Sequence, residues 1–269
     1  MIRVAGHFGE LMQGCIGPSG PVALITLPCP VLGVVARHQP GVGLIIDDSD
    51  QGLLSLDHAQ RFLKTLGLSL SGQIDIHAEM PVGGGAGAST AALVALARLA
   101  GYHGEAHALA AACIASEGAS DPLMFASPEQ HLWASRLGQT LAALPPLPRF
   151  EVIGGFYGPP QRTDAKDSTF PDIAPLLPDW VAAAQSSDLP ALAALASQSA
   201  KLTLRMRRAH SDPTAAVAHQ LGALGHVIAH TGSARGFIFR PGTVPAGAKA
   251  MLQDAGLHGV VQFLSGGAQ

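Results

Sequence analysis

Asparagine is missing from all 269 residues, so the chain offers no acceptor for N-glycosylation. Lysine is nearly missing too: Lys64, Lys166, Lys201 and Lys249 are the whole set. With 16 basic and 19 acidic side chains the formal net charge is −3, and no basic field broad enough to hold nucleic acid is present. Cysteine stops at Cys15, Cys29 and Cys113, with no CxxC pair. So odd and sparse a set excludes a disulfide framework and a Cys/His zinc module, and it fits a reducing, cytoplasmic compartment. Gly, Pro, Ser or a charge interrupts every apolar run within about a dozen residues, short of the ~20 that a membrane span needs. The opening "MIRVAGHFGE" carries charge and a His where an export signal needs its apolar core. No internal repeat of about 20–50 residues is found.

What is present is a globular composition, 48% hydrophobic and 13% charged. The N-terminal stretch reads as a short apolar strand that turns at Gly6 to Gly9. "PVALITLPCPVLGVVARH" and "GVGLIIDD" read as strands, expected to be antiparallel. Leu56 to Leu68 has helical spacing, and Gly72 to Met80 alternates Ile74, Ile76 and Ala78 against polar neighbours. Helices follow from Ser89 to Leu99 and from Glu105 to Ser116. Strand-like runs then lie around Leu132, at Thr140 to Leu144 and at Arg149 to Phe156. "LPPLPR" is a stiff connection that divides the chain into residues 1–147 and 148–269. Past a turn-rich stretch, Phe156 to Asp172, come helices at Pro175 to Gln185, Leu189 to Arg208 and Pro213 to Leu224. A strand pair from His226 to Phe239, a helix "AGAKAMLQDAGL" and a strand "GVVQFL" close the chain. The order describes an α+β protein in two layered halves.

"PVGGGAGASTAA" (Pro81 to Ala92) holds four glycines in five residues directly before a helix. Glycine lets the main chain reach positive φ and approach a ligand with no Cβ in the way. A helix N-terminus adds unpaired N–H groups and the positive end of a dipole. Together they make an anion-site candidate, the alternative being a tight turn that binds nothing. A Walker A loop needs Lys before the Ser/Thr, and Ala88 stands there instead. Gly83-x-Gly85 fits a dinucleotide fingerprint only loosely, because a second helix follows where a strand ending in an acid is needed.

This loop resembles the Pro-x-x-x-Gly-Leu-Gly-Ser-Ser-Ala-Ala loop of the GHMP kinases, the group of galactokinase, homoserine kinase, mevalonate kinase and phosphomevalonate kinase. The departures are Ala86 for Leu, Ala88 for the first Ser and Thr90 for the first Ala. The resemblance implies a two-domain fold, with an N-terminal half like ribosomal protein S5 domain 2 and a ferredoxin-like C-terminal half. It implies ATP and Mg²⁺ as cofactors. The backbone of Pro81, Gly83, Gly84, Gly85, Ala86, Gly87, Ala88, Ser89 and Thr90 would wrap the phosphates. The Ser89 hydroxyl would sit near Mg²⁺, and Thr90 could share that role.

Other segments agree in order. Glu117 and Asp121 fall where the family places a Mg²⁺-holding Glu and an Asp that takes or orients the acceptor hydroxyl proton. On local grounds alone they are a helix-end acid and a turn before Pro122. Thr231, Gly232 and Ser233 in "AHTGSARGFIF" resemble the family's C-terminal glycine motif beside phosphates and acceptor; alone they are a hairpin turn. "GELMQG" (Gly9 to Gly14), "GAST" and "DPLMF" resemble the L-threonine kinases of the cobalamin pathway. There the product, threonine phosphate, leads to the aminopropanol linker of the corrinoid nucleotide loop. The implied partner is then a small molecule, L-threonine or a similar amino alcohol such as homoserine, with no nucleic acid or membrane partner and scope for a homodimer. Glu10 would contact that acceptor unless it is a solvated turn acid; His7 and His230 flank the same motifs. The pairs His226/His230 and His103/His107, four apart, lack the Glu of a metalloprotease helix. Lys201, Arg205 and Arg208 share a helical face that reads as solvated.

Overall fold

The computed structural model describes residues 1–161, 167, 169–209 and 211–267. Residues 162–166 and 168 of the turn-rich stretch therefore lie outside the described residues. Two long strands open the chain, β1 (Ile2–Cys15) and β2 (Val22–Gln39), paired antiparallel from Ile2↔Ala36 to Cys15↔Val22. The expected turn at Gly6 to Gly9 is not there; the strand runs on, and the pairing shifts at Ala5/Gly6, His7/Glu10 and Glu10/Met12 absorb the extra residues. Gly9, at φ +74°, makes one shift feasible, since a Cβ there would stand 2.8 Å from the Ile228 carbonyl group. The bulges re-aim side chains locally, and two of those re-aimed, His7 and Glu10, belong to the site described below.

Next come β3 (Leu44–Asp47), α1 (Leu56–Thr65) and β4 (Gly72–Ala78). Strand β4 lies between β2 and β3, antiparallel to β2 and parallel to β3, so β2 and β3 run in opposite directions as expected but do not pair; α1 is the crossover between the parallel β3 and β4. Ser55 starts α1 by accepting the His58 N–H at 3.2 Å. Helices α2 (Ala88–Leu99) and α3 (Ala106–Glu117) follow, then β5 (His131–Ala134), β6 (Gln139–Ala143) and β7 (Phe150–Tyr157). The rest is α4 (Leu177–Gln185), α5 (Leu189–Met206), α6 (Thr214–Leu221), β8 (Gly225–Ile228), β9 (Ala234–Phe239), α7 (Ala248–Asp254) and β10 (Leu257–Ser265).

The strands run in the order β10-β7-β9-β8-β1-β2-β4-β3, with the β5/β6 hairpin joined to β2 at Leu24↔Trp133. The two segments separated by "LPPLPR" thus share one sheet, joined where Glu10 pairs with Ile228. Helix α2 packs on β1 and β2, and α5 on β1 and β8. Its run from Ala91 to Ala97 is buried on every side, which the small alanines permit by letting strands and helices close in all round. Phe8, Phe62, Trp133 and Trp180 fill the largest gaps. Among the described residues no helix is long and apolar enough to cross a membrane.

Candidate functional site

Between β4 and α2 the chain passes through Gly83, Gly85 and Gly87 at φ +77°, +74° and +76°. A Cβ on Gly85 would lie 2.2 Å from the Thr231 carbonyl oxygen, and one on Gly87 would lie 2.6 Å from the His7 ring. Only glycine fits, on both conformational and steric grounds. The carbonyls of Gly83 to Ala86 are all engaged. Gln161 N–H donates to Gly83 O, Ser233 and Ala234 N–H to Gly84 O, Gly9 N–H to Gly85 O and His7 N–H to Ala86 O, at 2.8 to 3.3 Å. Gly87 caps α2 without a side chain, and the first N–H to bond back into the helix is that of Ala91, to Gly87 O. The earlier amides of the first turn thus have no helical partner, which is the anion-binding geometry.

These amides border a cavity of about 370 Å³. Of the residues singled out in the sequence, Gly83, Gly85, Ala86, Gly87, Ala88, Ser89, Thr90, His7, Glu10, Glu117, Asp121, His230 and Thr231 line it. Pro81, Gly84, Gly232 and Ser233 do not; they brace the loop from behind. The Gly84 N–H donates to Pro81 O at 2.9 Å, and Gly232 sits so close to the Gly84–Gly85 peptide that a Cβ would reach 2.5 Å. The Thr231–Ser233 turn therefore sits against the glycine loop, though the two are far apart in the chain.

One end of the cavity is backbone with a hydroxyl and a carboxylate. Ser89, exposed in the first turn of α2, donates a hydrogen bond to the carboxylate of Glu117, the last residue of α3. A hydroxyl and one carboxylate next to open main-chain amides is a donor set of the hard-oxygen kind that Mg²⁺ accepts. Thr90 points elsewhere: its buried hydroxyl accepts the Asp121 N–H at 3.2 Å and so fixes the turn that carries Asp121.

The other end is ionisable. Glu10 is no solvated turn acid; it is 2% exposed in β1. His7 stands between it and Asp121, with Nδ1 3.4 Å from Glu10 Oε1 and Nε2 3.3 Å from Asp121 Oδ2. Burial opposes a charge on His7, but Asp121 and then Glu10 override it and lift the imidazole to about 9. Burial raises the Glu10 carboxyl to about 8, against the pull of His7. Asp121, whose side chain is 24% exposed, is also opposed by burial, yet the His7 charge holds it below the usual carboxylate range. Near neutral pH the consistent assignment is a protonated Glu10, an imidazolium at His7 and a carboxylate at Asp121. His230 is the opposite case. Burial, then Arg207, push it down to about 3, so it is a neutral ring, stacked 4.4 Å from Phe170.

Sequence reasoning missed several lining residues. Arg136, in the β5/β6 turn, lines the cavity; its guanidinium donates to the Asp167 carbonyl and lies 5.4 Å over Phe170, the ring that stacks on His230. Arg207 lies over the same ring at 5.6 Å, although its neighbours Arg205 and Arg208 are exposed as expected. Leu53 and His58 line the cavity too, His58 tied to Ser116 at 2.6 Å. No local pattern marks Arg136; an arginine in "ASRLGQ" reads as an ordinary turn.

At the level of sequence, no family profile and no curated protein matches this chain. The mevalonate kinase of L. major, solved with R-mevalonate, superposes with a TM-score of 0.67 at 14% identity, covering 98% of this chain and 96% of that one. The homoserine kinase of Cytophaga hutchinsonii gives 0.61 at 19% identity, covering 98% and 94%. The phosphomevalonate kinase of Streptococcus pneumoniae gives 0.61 at 12% identity, covering 98% of each. At such identities it is the fold that is shared, over nearly the full length: the chain has the α+β fold of the GHMP kinases.

Proposed function

We propose that the protein is an ATP-dependent kinase that phosphorylates the hydroxyl of a small amino acid, L-threonine being the acceptor that its motifs favour. The observation that carries the proposal is the placement of Asp121, a partly exposed carboxylate in one cavity with the open amides of α2. A phosphate tail on those amides would bring a transferable phosphoryl group toward a carboxylate able to accept a hydroxyl proton. Positioning and electrostatics dominate such transfers, and main-chain N–H groups supply both without reorganising. Bound Mg²⁺, held by Ser89 and Glu117, would supply neutralisation of phosphate charge. Glu10 and Arg136, both in the cavity lining, offer an acid and a guanidinium, suited to the ammonium and carboxylate of one amino acid. The acceptor hydroxyl then faces Asp121, which takes its proton as the oxygen bonds to phosphorus and ADP leaves. "GELMQG" and "DPLMF" support threonine within this class, and with it a role in assembling the cobalamin nucleotide loop.

An ADP-release assay over L-threonine, L-homoserine, L-serine, aminopropanol and mevalonate tests the reading. Turnover is expected with L-threonine above all others. Best turnover with homoserine would keep the kinase and replace the acceptor; ATP binding without ADP from any acceptor would make the chain a non-catalytic nucleotide-binding homologue.

A further inference from the structure

His7 faces oxygen on both sides. Nδ1 is 3.3 Å from the carbonyl oxygen of Gly9 and 3.4 Å from Glu10 Oε1, while Nε2 is 3.3 Å from Asp121 Oδ2. A carbonyl oxygen can only accept, so Nδ1 carries hydrogen. A bare Nε2 would then set its lone pair against the Asp121 carboxylate, unless Asp121 gave up its own role and held the proton itself. The ring has little freedom to turn away. It is 3% exposed, its backbone N–H is bound to Ala86 O, and a single Cβ on Gly87 would collide with its Cδ2 atom. The glycine loop thus packs directly on the ring that holds the carboxylate.

We propose that His7 is a positioning residue of this site: an imidazolium strung between Glu10 and Asp121 that fixes Asp121 as the carboxylate facing the acceptor hydroxyl. The proposal rests on the kinase reading for the identity of that hydroxyl, though not for the state of the ring. It also replaces the expectation that His7 touches substrate.

The groups facing this unit come from six places. Glu10 shares β1 with His7, and Thr26 of β2 lies opposite Glu10. Thr90 of α2 accepts the Asp121 N–H. His230, neutral after β8, and Arg136 of the β5/β6 turn line the same space, with Glu117 at the end of α3. Of these only Glu10 and Asp121 stand within ion-pair distance of the His7 ring. His7 therefore favours the charged form of Asp121, and Glu10 is tied to Asp121 through the same ring. An acceptor ammonium seated at Glu10 would displace the Glu10 proton, and the acceptor would be registered at the carboxylate that serves it.

Two measurements decide the matter. Nitrogen-15 spectra of histidine-labelled protein should show one buried ring with both nitrogens protonated at pH 7.5. In Asp121→Asn that signal should titrate within the ordinary histidine range. A neutral His7 in the wild-type protein at pH 7.5 overturns the proposal whatever the enzyme does. In His7→Gln, the acid limb of kcat/KM for the acceptor should move up by about one pH unit or more, since a partly buried carboxylate loses its counter-charge. KM for ATP should stay within about twofold, because uniform binding is untouched. A lower kcat with an unmoved acid limb would leave His7 a packing residue and contradict the proposal. Should His7→Gln not fold, the spectra of wild type and Asp121→Asn stand alone as the test. An intact imidazolium signal in a protein that phosphorylates no acceptor would sink the kinase reading and uphold the assignment of His7.

Discussion

From Gly83 to Thr90 the cavity wall is main chain; across from it, at His7, Glu10, Asp121 and Arg136, the wall is ionisable side chain. The first wall is one contiguous segment whose carbonyls from Gly83 to Ala86 are all engaged, leaving amides toward the cavity. The second is drawn from β1, the turn before Pro122 and the β5/β6 hairpin. On the proposed reading, main-chain amides would serve a ligand group common to many partners, a phosphate, and charged side chains at fixed distances would serve the group that varies, the acceptor. The two walls meet at Gly87, whose missing Cβ leaves room for His7.

The sharpest way to break the contrast is to remove chemistry from one wall alone. Asp121→Ala should lower kcat by about 10²–10⁴-fold, the range of general-base contributions, with the ATP dissociation constant within about twofold. Steady-state kinetics beside calorimetric ATP binding check both. Turnover that survives would take Asp121 out of the reaction.

Next comes acceptor recognition. Arg136→Ala or Glu10→Gln should each raise the acceptor KM about 10- to 100-fold, the loss expected for a hydrogen bond to a charged group, and leave KM for ATP alone. Equal losses toward both substrates would mean that the two walls are not separable. Gly85→Ala tests the opposite wall. Its φ of +74° and the clash with Thr231 O should cost about 1–3 kcal/mol of stability and weaken ATP more than acceptor. Chemical denaturation and ATP titration check this.

The smallest effect is a pH dependence that belongs to the acidic wall. Glu10 at about 8 and His7 at about 9 both hold protons in the folded state that the unfolded chain releases near 4.5 and 6.5. Between pH 6.5 and 8 the folded state binds more protons, so its stability falls as pH rises. Below 6.5 the lowered His226 and His230, at about 4 and 3, work the other way and offset Glu10. The melting temperature should therefore drop from pH 6.5 to 8, and drop less in Glu10→Gln. A flat profile would contradict the assigned proton positions.

The two walls also differ in how far they can be read from sequence. A run of glycines before an apolar helix declares itself locally, because backbone conformation is a property of neighbours along the chain. The limits of α2 and β4 were legible for the same reason, in Gly87 and in the alternation of Ile74, Ile76 and Ala78. The acidic wall depends on register. Whether Glu10 is a turn acid or a buried one is decided by bulges in β1 and by its pairing with Thr26 and Ile228, which no local spacing encodes. Arg136 and Phe170 are distant in sequence and meet only across the fold. That β4 inserts between β2 and β3 was not legible either, because the α1 crossover that places it is set by the fold and not by the four residues of β3.

The most direct measurement of the central claim is a crystal structure with a non-hydrolysable ATP analogue, Mg²⁺ and L-threonine. The account predicts the triphosphate on the amides that open α2, with the threonine hydroxyl between its last phosphorus and Asp121. A triphosphate seated away from Gly83–Thr90, or an acceptor that leaves Asp121 untouched, would contradict it.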